Sequence, residues 1–206
     1  MRLIDALTTL SAMRVSVFDT GDAAARLGVN AAHASTVLAR LAAATHVVRL
    51  RRGVWAFRDR VDALALPEYL TSPFPSYVSL QSALYRHGMI EQVPAITYAV
   101  SLARTRRFAT PLGAVSIHHV DPGFFFGFEH VGTSGGRLAT PEKALVDFLY
   151  LAPARSQLFR ALPELELPAQ FSARRARATV ARIGSATRRA MVSRALDGIV
   201  RRASSR

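Results

Sequence analysis

The residues of this chain that could do chemistry fall into three groups. The largest is cationic: 26 Arg and one Lys stand against 14 acids in 206 residues, a formal net charge of +13. The charge is clustered. Residues 1–60 hold nine Arg and four Asp, a balance of +5, and residues 61–150 hold five Arg, one Lys and seven acids, a balance of −1. Residues 151–206 hold twelve Arg and three acids, a balance of +9. Two basic ends around a neutral middle point first to a polyanion such as nucleic acid, because clustered cations release condensed counterions when they meet phosphates. Codon bias can account for Arg over Lys, but not for the excess or its clustering.

The second group is His118, His119, Asp121, Glu129 and His130, residue types that can bind a metal or move protons. His118 and His119 are adjacent on a predicted strand, so their side chains point to opposite faces and cannot share one ion without distortion. His119 and Asp121 could share a face, with Glu129 and His130 on the neighbouring strand. The third group is Glu142–Lys143 at a predicted helix start, where a glutamate complements the helix dipole. His87, just before Gly88, suits a helix end for the same electrostatic reason. Gly132-Thr133-Ser134-Gly135-Gly136 lacks the ending of a phosphate loop, and no serine has a nucleophile-elbow context. The absence of cysteine excludes thiol catalysis, thiolate zinc sites and disulfides. The expectation is a protein without catalytic residues, metal or cofactor, with a nucleic-acid-processing enzyme as the rival reading.

The elements that must present the arginines are legible at the N-terminus. Leu3, Ile4, Leu7 and Leu10 recur at helical spacing, and a short apolar stretch follows at Val15 to Phe18. Asp19 to Asp22 cap a short helix, Gly28 suits its left-handed end, and Asn30 caps a third helix running to about Ala44. Ala34, Val37, Leu38 and Leu41 give that helix one buried face. Two strand-like runs, Val47 to Leu50 and Val54 to Phe57, are joined by Arg51-Arg52-Gly53. Such an order reads as a winged helix-turn-helix. His33, Ser35, Thr36 and Arg40 would face base edges in a major groove, while Arg49, Arg51, Arg52 and Arg58 would mainly neutralise phosphate.

Residues 61–76, rich in proline, read as a linker. A helix capped near Ser79 and stopped at Gly88 follows, then strand-like runs at Ala95 to Leu102, Val115 to Val120 and Phe124 to Val131. The glycines of 132–136 are expected to end the sheet. Thr140-Pro141-Glu142 opens a strong helix as N-cap, first helical position and first-turn acid. From Pro153 the chain reads as helices at Arg155 to Leu162, Ser172 to about Ile183 and Ser185 to about Arg202. Arg174, Arg175, Arg177, Arg182, Arg188 and Arg189 would give these a basic surface for a partner.

Tyr77-Val78-Ser79, Ser82-Ala83-Leu84, His87-Gly88, Arg104-Thr105-Arg106, Phe125-Phe126-Gly127 and Ala139-Thr140-Pro141-Glu142-Lys143-Ala144-Leu145 occur in an order that resembles the AbiEi antitoxins of type IV toxin–antitoxin and abortive-infection systems. With the winged helix in front, the resemblance covers most of residues 1–151. It implies a transcriptional regulator that binds double-stranded DNA, in inverted repeats upstream of its own operon. It also implies that residues 77–206 form an antitoxin domain that counteracts a nucleotidyltransferase-like toxin. The rival within regulators is a solitary winged-helix transcription factor whose second domain dimerises or senses a ligand. The fold expected is α+β: a winged helix at 1–60, then a small antiparallel sheet flanked by helices, and a helical C-terminus. The N-terminus is too short and polar for a signal peptide and no segment reaches membrane-spanning length, so a cytoplasmic protein without a membrane partner is expected.

Overall fold

In the winged helix, two of the helix starts are fixed by named polar residues. The computed structural model describes residues 2–132, 135–152 and 165–204. Helices α1 (Leu3–Ser11), α2 (Thr20–Leu27) and α3 (Ala31–Ala43) pack with strands β1 (Val17–Asp19), β2 (Val47–Arg51) and β3 (Val54–Phe57). The Asp19 carboxylate accepts from the Asp22 N–H (2.7 Å) while the Asp22 carboxylate accepts from the Asp19 N–H (2.9 Å), so α2 starts in a reciprocal cap. Gly28 ends it at φ 65°, and Asn30 caps α3 by accepting from the His33 N–H (2.8 Å). The antiparallel sheet runs in the order β1-β3-β2. One face, carrying Val47, Trp55 and Phe57, closes with Ala6, Leu10, Val37, Leu38 and Leu41 into an apolar core. The Trp55 indole N–H donates to the Thr20 hydroxyl (3.0 Å), which ties the sheet to the start of α2.

The other face of this sheet is not open to solvent. Val48, Leu50 and Ala56 pack against Leu66 and Leu70 and against Ala99, Val115 and Ile117 of the second sheet. Residues 61–76, expected to be a linker, therefore hold a buried helix, α4 (Leu66–Thr71). Pro67 sits at the start of α4, where a missing N–H does no harm, so proline-rich composition here marks a helix entry and not a spacer. The segment is pinned further. Glu68 pairs with Arg137 (3.3 Å) and accepts from the Ser76 N–H (3.2 Å). Gly136 lies against Leu64 so closely that a Cβ there would sit 2.9 Å from the leucine's.

The second sheet has six strands: β4 (Ser76–Val78), β5 (Thr97–Ser101), β6 (Arg106–Thr110), β7 (Gly113–His119), β8 (Phe128–Val131) and β9 (Gly136–Ala139). Their order is β6-β7-β5-β4-β9-β8. The sheet is mixed where an antiparallel one was expected, because β5 runs parallel to β7 and β4 parallel to β9. Tyr77 and Val78, just before the expected helix cap near Ser79, belong to a strand. The expected strand from Phe124 shortens to Phe128–Val131 because Pro122–Phe124 forms a 3-10 turn. The glycines of 132–136 do not end the sheet; they turn the chain into β9.

Helices α5 (Leu80–Arg86), α6 (Pro141–Leu151), α7 (Ala173–Ala181) and α8 (Ala186–Ser204) cover one face of the sheet. Their core includes Tyr77, Leu84, Val100, Leu145, Phe148, Val180, Val192 and Leu196. Thr140 caps α6 by accepting from the Lys143 N–H (3.3 Å), as its sequence position implies. The expected helix at 155–162 lies outside the described residues. The architecture is α+β, with a winged helix at the front and helices at the C-terminus.

Candidate nucleic-acid interface

On α3 the apolar stripe Ala34, Val37, Leu38 and Leu41 is buried, which turns His33, Ser35, Thr36 and Arg40 outward as exposed side chains. All four lie on the solvent face of a helix whose exposed neighbours Ala31, Ala32 and Ala39 are small. A surface of that shape fits a major groove without steric obstruction. The Thr36 hydroxyl donates to the Ala32 carbonyl (3.2 Å), leaving its oxygen and methyl group to face a base.

The wing arginines divide. Arg52 is exposed at the tip, beside Gly53 at φ 76°, and Arg49 is exposed above the Trp55 ring (5.7 Å to the centroid). Arg51 turns inward: its Nη2 donates to the Ser72 carbonyl (3.3 Å) and its Nε is buried without a partner. A register shift between Arg49 and Arg51 redirects the side chain toward α4. Arg58 follows β3 at the base of the hairpin, away from the tip, where it lines a hollow of about 370 Å³ with His46, Asp59 and Arg60. The sequence grouped four arginines that the fold distributes over three places.

Residues 5–58 match the family model described as transcriptional regulator, AbiEi antitoxin. Over its winged helix, the chain is similar to the AbiEi transcriptional regulators. No curated protein matches the chain. Residues 59–206 lie outside the AbiEi match.

Beyond the winged helix, most of the C-terminal arginines named above are engaged within the second unit. Arg175 pairs with Glu142 (2.8 Å), and Arg177 with Asp197 (3.0 Å). Arg182 lies over Phe126 (3.4 Å to the centroid), Arg188 sits over Tyr150 (4.8 Å), and Arg189 donates to the Ile183 carbonyl (2.8 Å). Arg174 alone of the six is exposed with no such engagement among the described residues. Five of the arginines expected to form a free partner surface thus also hold α7 and α8 in place. Burial raises the Glu142 pKa, but the Ser172 N–H and the Arg175 guanidinium outweigh it and hold the carboxyl below its usual range. Glu142, Arg175, Thr179 and Arg182 line a cleft of about 660 Å³ with His87 and Glu129.

The sequence undervalued one cluster altogether. Lys143 and Asp147 form an ion pair that is almost wholly enclosed, with both side chains at most 1 % exposed. The Tyr77 hydroxyl (2.9 Å) and the Ser79 hydroxyl (2.8 Å) both donate to the second Asp147 oxygen. The Lys143 ammonium lies 3.7 Å from the Phe124 ring centroid and 4.8 Å from that of Phe126. Burial pushes Asp147 up, Lys143 down and Tyr77 well up. The four-residue spacing of Lys143 and Asp147 was the available signal, but such spacing ordinarily marks an exposed pair.

The candidate acid/base residues do not converge. β7, with His118 and His119, and β8, with Glu129 and His130, are separated by β5, β4 and β9. Four strand spacings amount to roughly 19 Å, so the expected neighbouring strands are not neighbours. His118 contacts Ser116 (3.1 Å) on the helix-covered face, where burial lowers its pKa. His119 is spent on the loop before β6, its Nδ1–H donating to the Ala103 carbonyl (3.2 Å). His87, expected at the final carbonyls of its own helix, donates instead to the Ala139 carbonyl (2.7 Å). Among the described residues no three His, Asp or Glu side chains are grouped to hold a metal, and no helix is long and apolar enough to cross a membrane.

Proposed function

We propose that this protein is an antitoxin that represses its own promoter. α3 enters a major groove of double-stranded DNA, and Arg49 and Arg52 of the wing meet the adjoining backbone. The observation that carries the reading is the outward set His33, Ser35, Thr36 and Arg40 on a helix with small neighbours, in a domain similar to AbiEi regulators. Promoter sites are inverted repeats, each half read by one winged helix. Arg51 ties the wing to α4, and Arg58 contributes through its charge at a distance.

Residues 77–206 act as the antitoxin domain and counteract a nucleotidyltransferase-like toxin encoded beside this gene. The first test is titration of the protein against a labelled duplex from upstream of its own gene, in rising salt with excess unrelated DNA. Retention of binding against the competitor supports the repressor reading, and Thr36→Ala or His33→Ala should then change which sequences are preferred. Loss of all binding to competitor overturns it. The second test is co-expression with the adjacent gene product. Growth arrest relieved by this chain supports the antitoxin role; unrelieved arrest reduces the protein to a solitary transcription factor.

A further inference from the structure

Arg104, Arg106 and Arg107 stand at the outer edge of the second sheet, on β6 and the loop before it. All three are exposed, and among the described residues none meets a carboxylate, unlike Arg175 and Arg177. The loop that carries Arg104 is held firmly. The His119 N–H donates to the Thr105 hydroxyl (3.0 Å), the His119 ring donates to the Ala103 carbonyl, and the Ala103 N–H donates to the Ser101 hydroxyl (2.9 Å).

A chain of contacts places this loop beside the wing. Arg51 donates to Ser72, and three residues later the Pro75 carbonyl accepts from the Ser101 hydroxyl (2.7 Å). Ser101 is the register partner of His119, which holds the loop. β2 and β6 are themselves in contact. The wing tip and the start of β6 therefore share one end of the molecule, in the layer order α3, wing sheet, second sheet. The strand's alternation then separates its two arginines. Arg106 pairs with Ile117, on the face that packs against the wing sheet, and stacks on Phe108 (4.9 Å). Arg107 pairs with Ser116 on the opposite face.

We propose that Arg104 and Arg106 form a second phosphate-binding element, which extends the DNA footprint past the wing on the side away from α3. The proposal rests on the DNA-binding reading above. Two exposed cations without a carboxylate partner, one on a fixed loop and one at the start of β6, in line with a groove-reading helix and a wing, suit the backbone of the same duplex.

The test uses the intact protein with two labelled duplexes from upstream of its gene. One covers the winged-helix footprint, about 10 base pairs, and the other extends roughly two helical turns past the wing. The Arg104→Ala/Arg106→Ala variant should lower the slope of log K against log salt by about 2 on the long duplex, at about 0.9 per phosphate. On the short duplex its slope should match the wild type. Arg107→Ala, on the other face, should alter neither slope. Arg104→Gln/Arg106→Gln repeats the test with long polar side chains retained, so a defect in folding and a loss of charge give different results. An unchanged slope on the long duplex, or an equal loss with Arg107→Ala, overturns the second element while the winged-helix reading stands. If the wild type favours neither duplex over competitor, both readings fall.

Discussion

The two units of this molecule treat polar groups in opposite ways. In the winged helix every buried side chain of the core is apolar, and apart from the inward-turned Arg51 most polar residues lie outside or at helix caps. In the second unit Ser79, Glu142, Lys143 and Asp147 are buried, and Lys143 and Asp147 face each other inside a cage of aromatic rings. A reading surface needs its polar groups available, whereas a buried ion pair contributes little net stability and fixes one arrangement through the penalty for breaking it. The first unit leaves most of its polar groups at the surface. The second spends these buried groups on its own geometry.

The sharpest way to break this contrast is Asp147→Ala. It strands the Lys143 ammonium among Phe124, Phe126 and Tyr77 and should cost about 3–5 kcal/mol in urea unfolding. The pair Lys143→Met/Asp147→Leu should recover most of that loss. A cost under about 1 kcal/mol for Asp147→Ala would mean the charge is satisfied elsewhere, and the contrast would fail.

Next in size is Leu50→Ala, in the cluster shared by the two units, with an expected loss of about 2–4 kcal/mol. Trp55 is the only tryptophan and sits in the winged helix, so its fluorescence reports that unit alone. Its unfolding midpoint should coincide with that of far-UV circular dichroism in this variant. Two separate midpoints would show that the units unfold independently.

A smaller effect follows from pH. The Glu142 carboxyl is held below its ordinary value of 4.5, so its contribution is complete above that pH and fades as pH falls through the lowered value of the folded state. Glu142→Gln should remove this part of the acid sensitivity of the denaturant midpoint. An identical pH profile in the variant would detach α7 from the pairing described.

The smallest effects separate the wing arginines. Arg52→Ala should reduce the salt slope of DNA binding by about 0.9, and Arg51→Ala should leave it nearly unchanged. Equal losses would return Arg51 to the DNA surface.

Legibility from sequence follows the same division. Local signals determined the winged helix: caps at Asp19 and Asn30, the glycine at 28, the stripe on α3 and the arginine turn all act within a few residues. The second sheet depends on non-local pairing. Nothing near Tyr77 says that β4 will lie between β5 and β9, or that β8 will end at the far edge from β7. The direction of Arg51 was illegible for a related reason, since it depends on a register shift and on a carbonyl 21 residues away. Lys143 and Asp147 carried the right spacing, but burial is decided by the helices laid over them.

The covered back of the wing sheet bears on how such a protein can be divided in evolution. Val48, Leu50 and Ala56 are complementary to Leu66, Leu70, Val115 and Ile117. The winged helix cut away at residue 60 would carry an uncovered oily face into every new setting. Transplanting it onto another effector would require that effector to bring its own matching sheet and helix. Changes on the exposed face of α3 disturb none of this packing, whereas exchange of the whole unit must rebuild it.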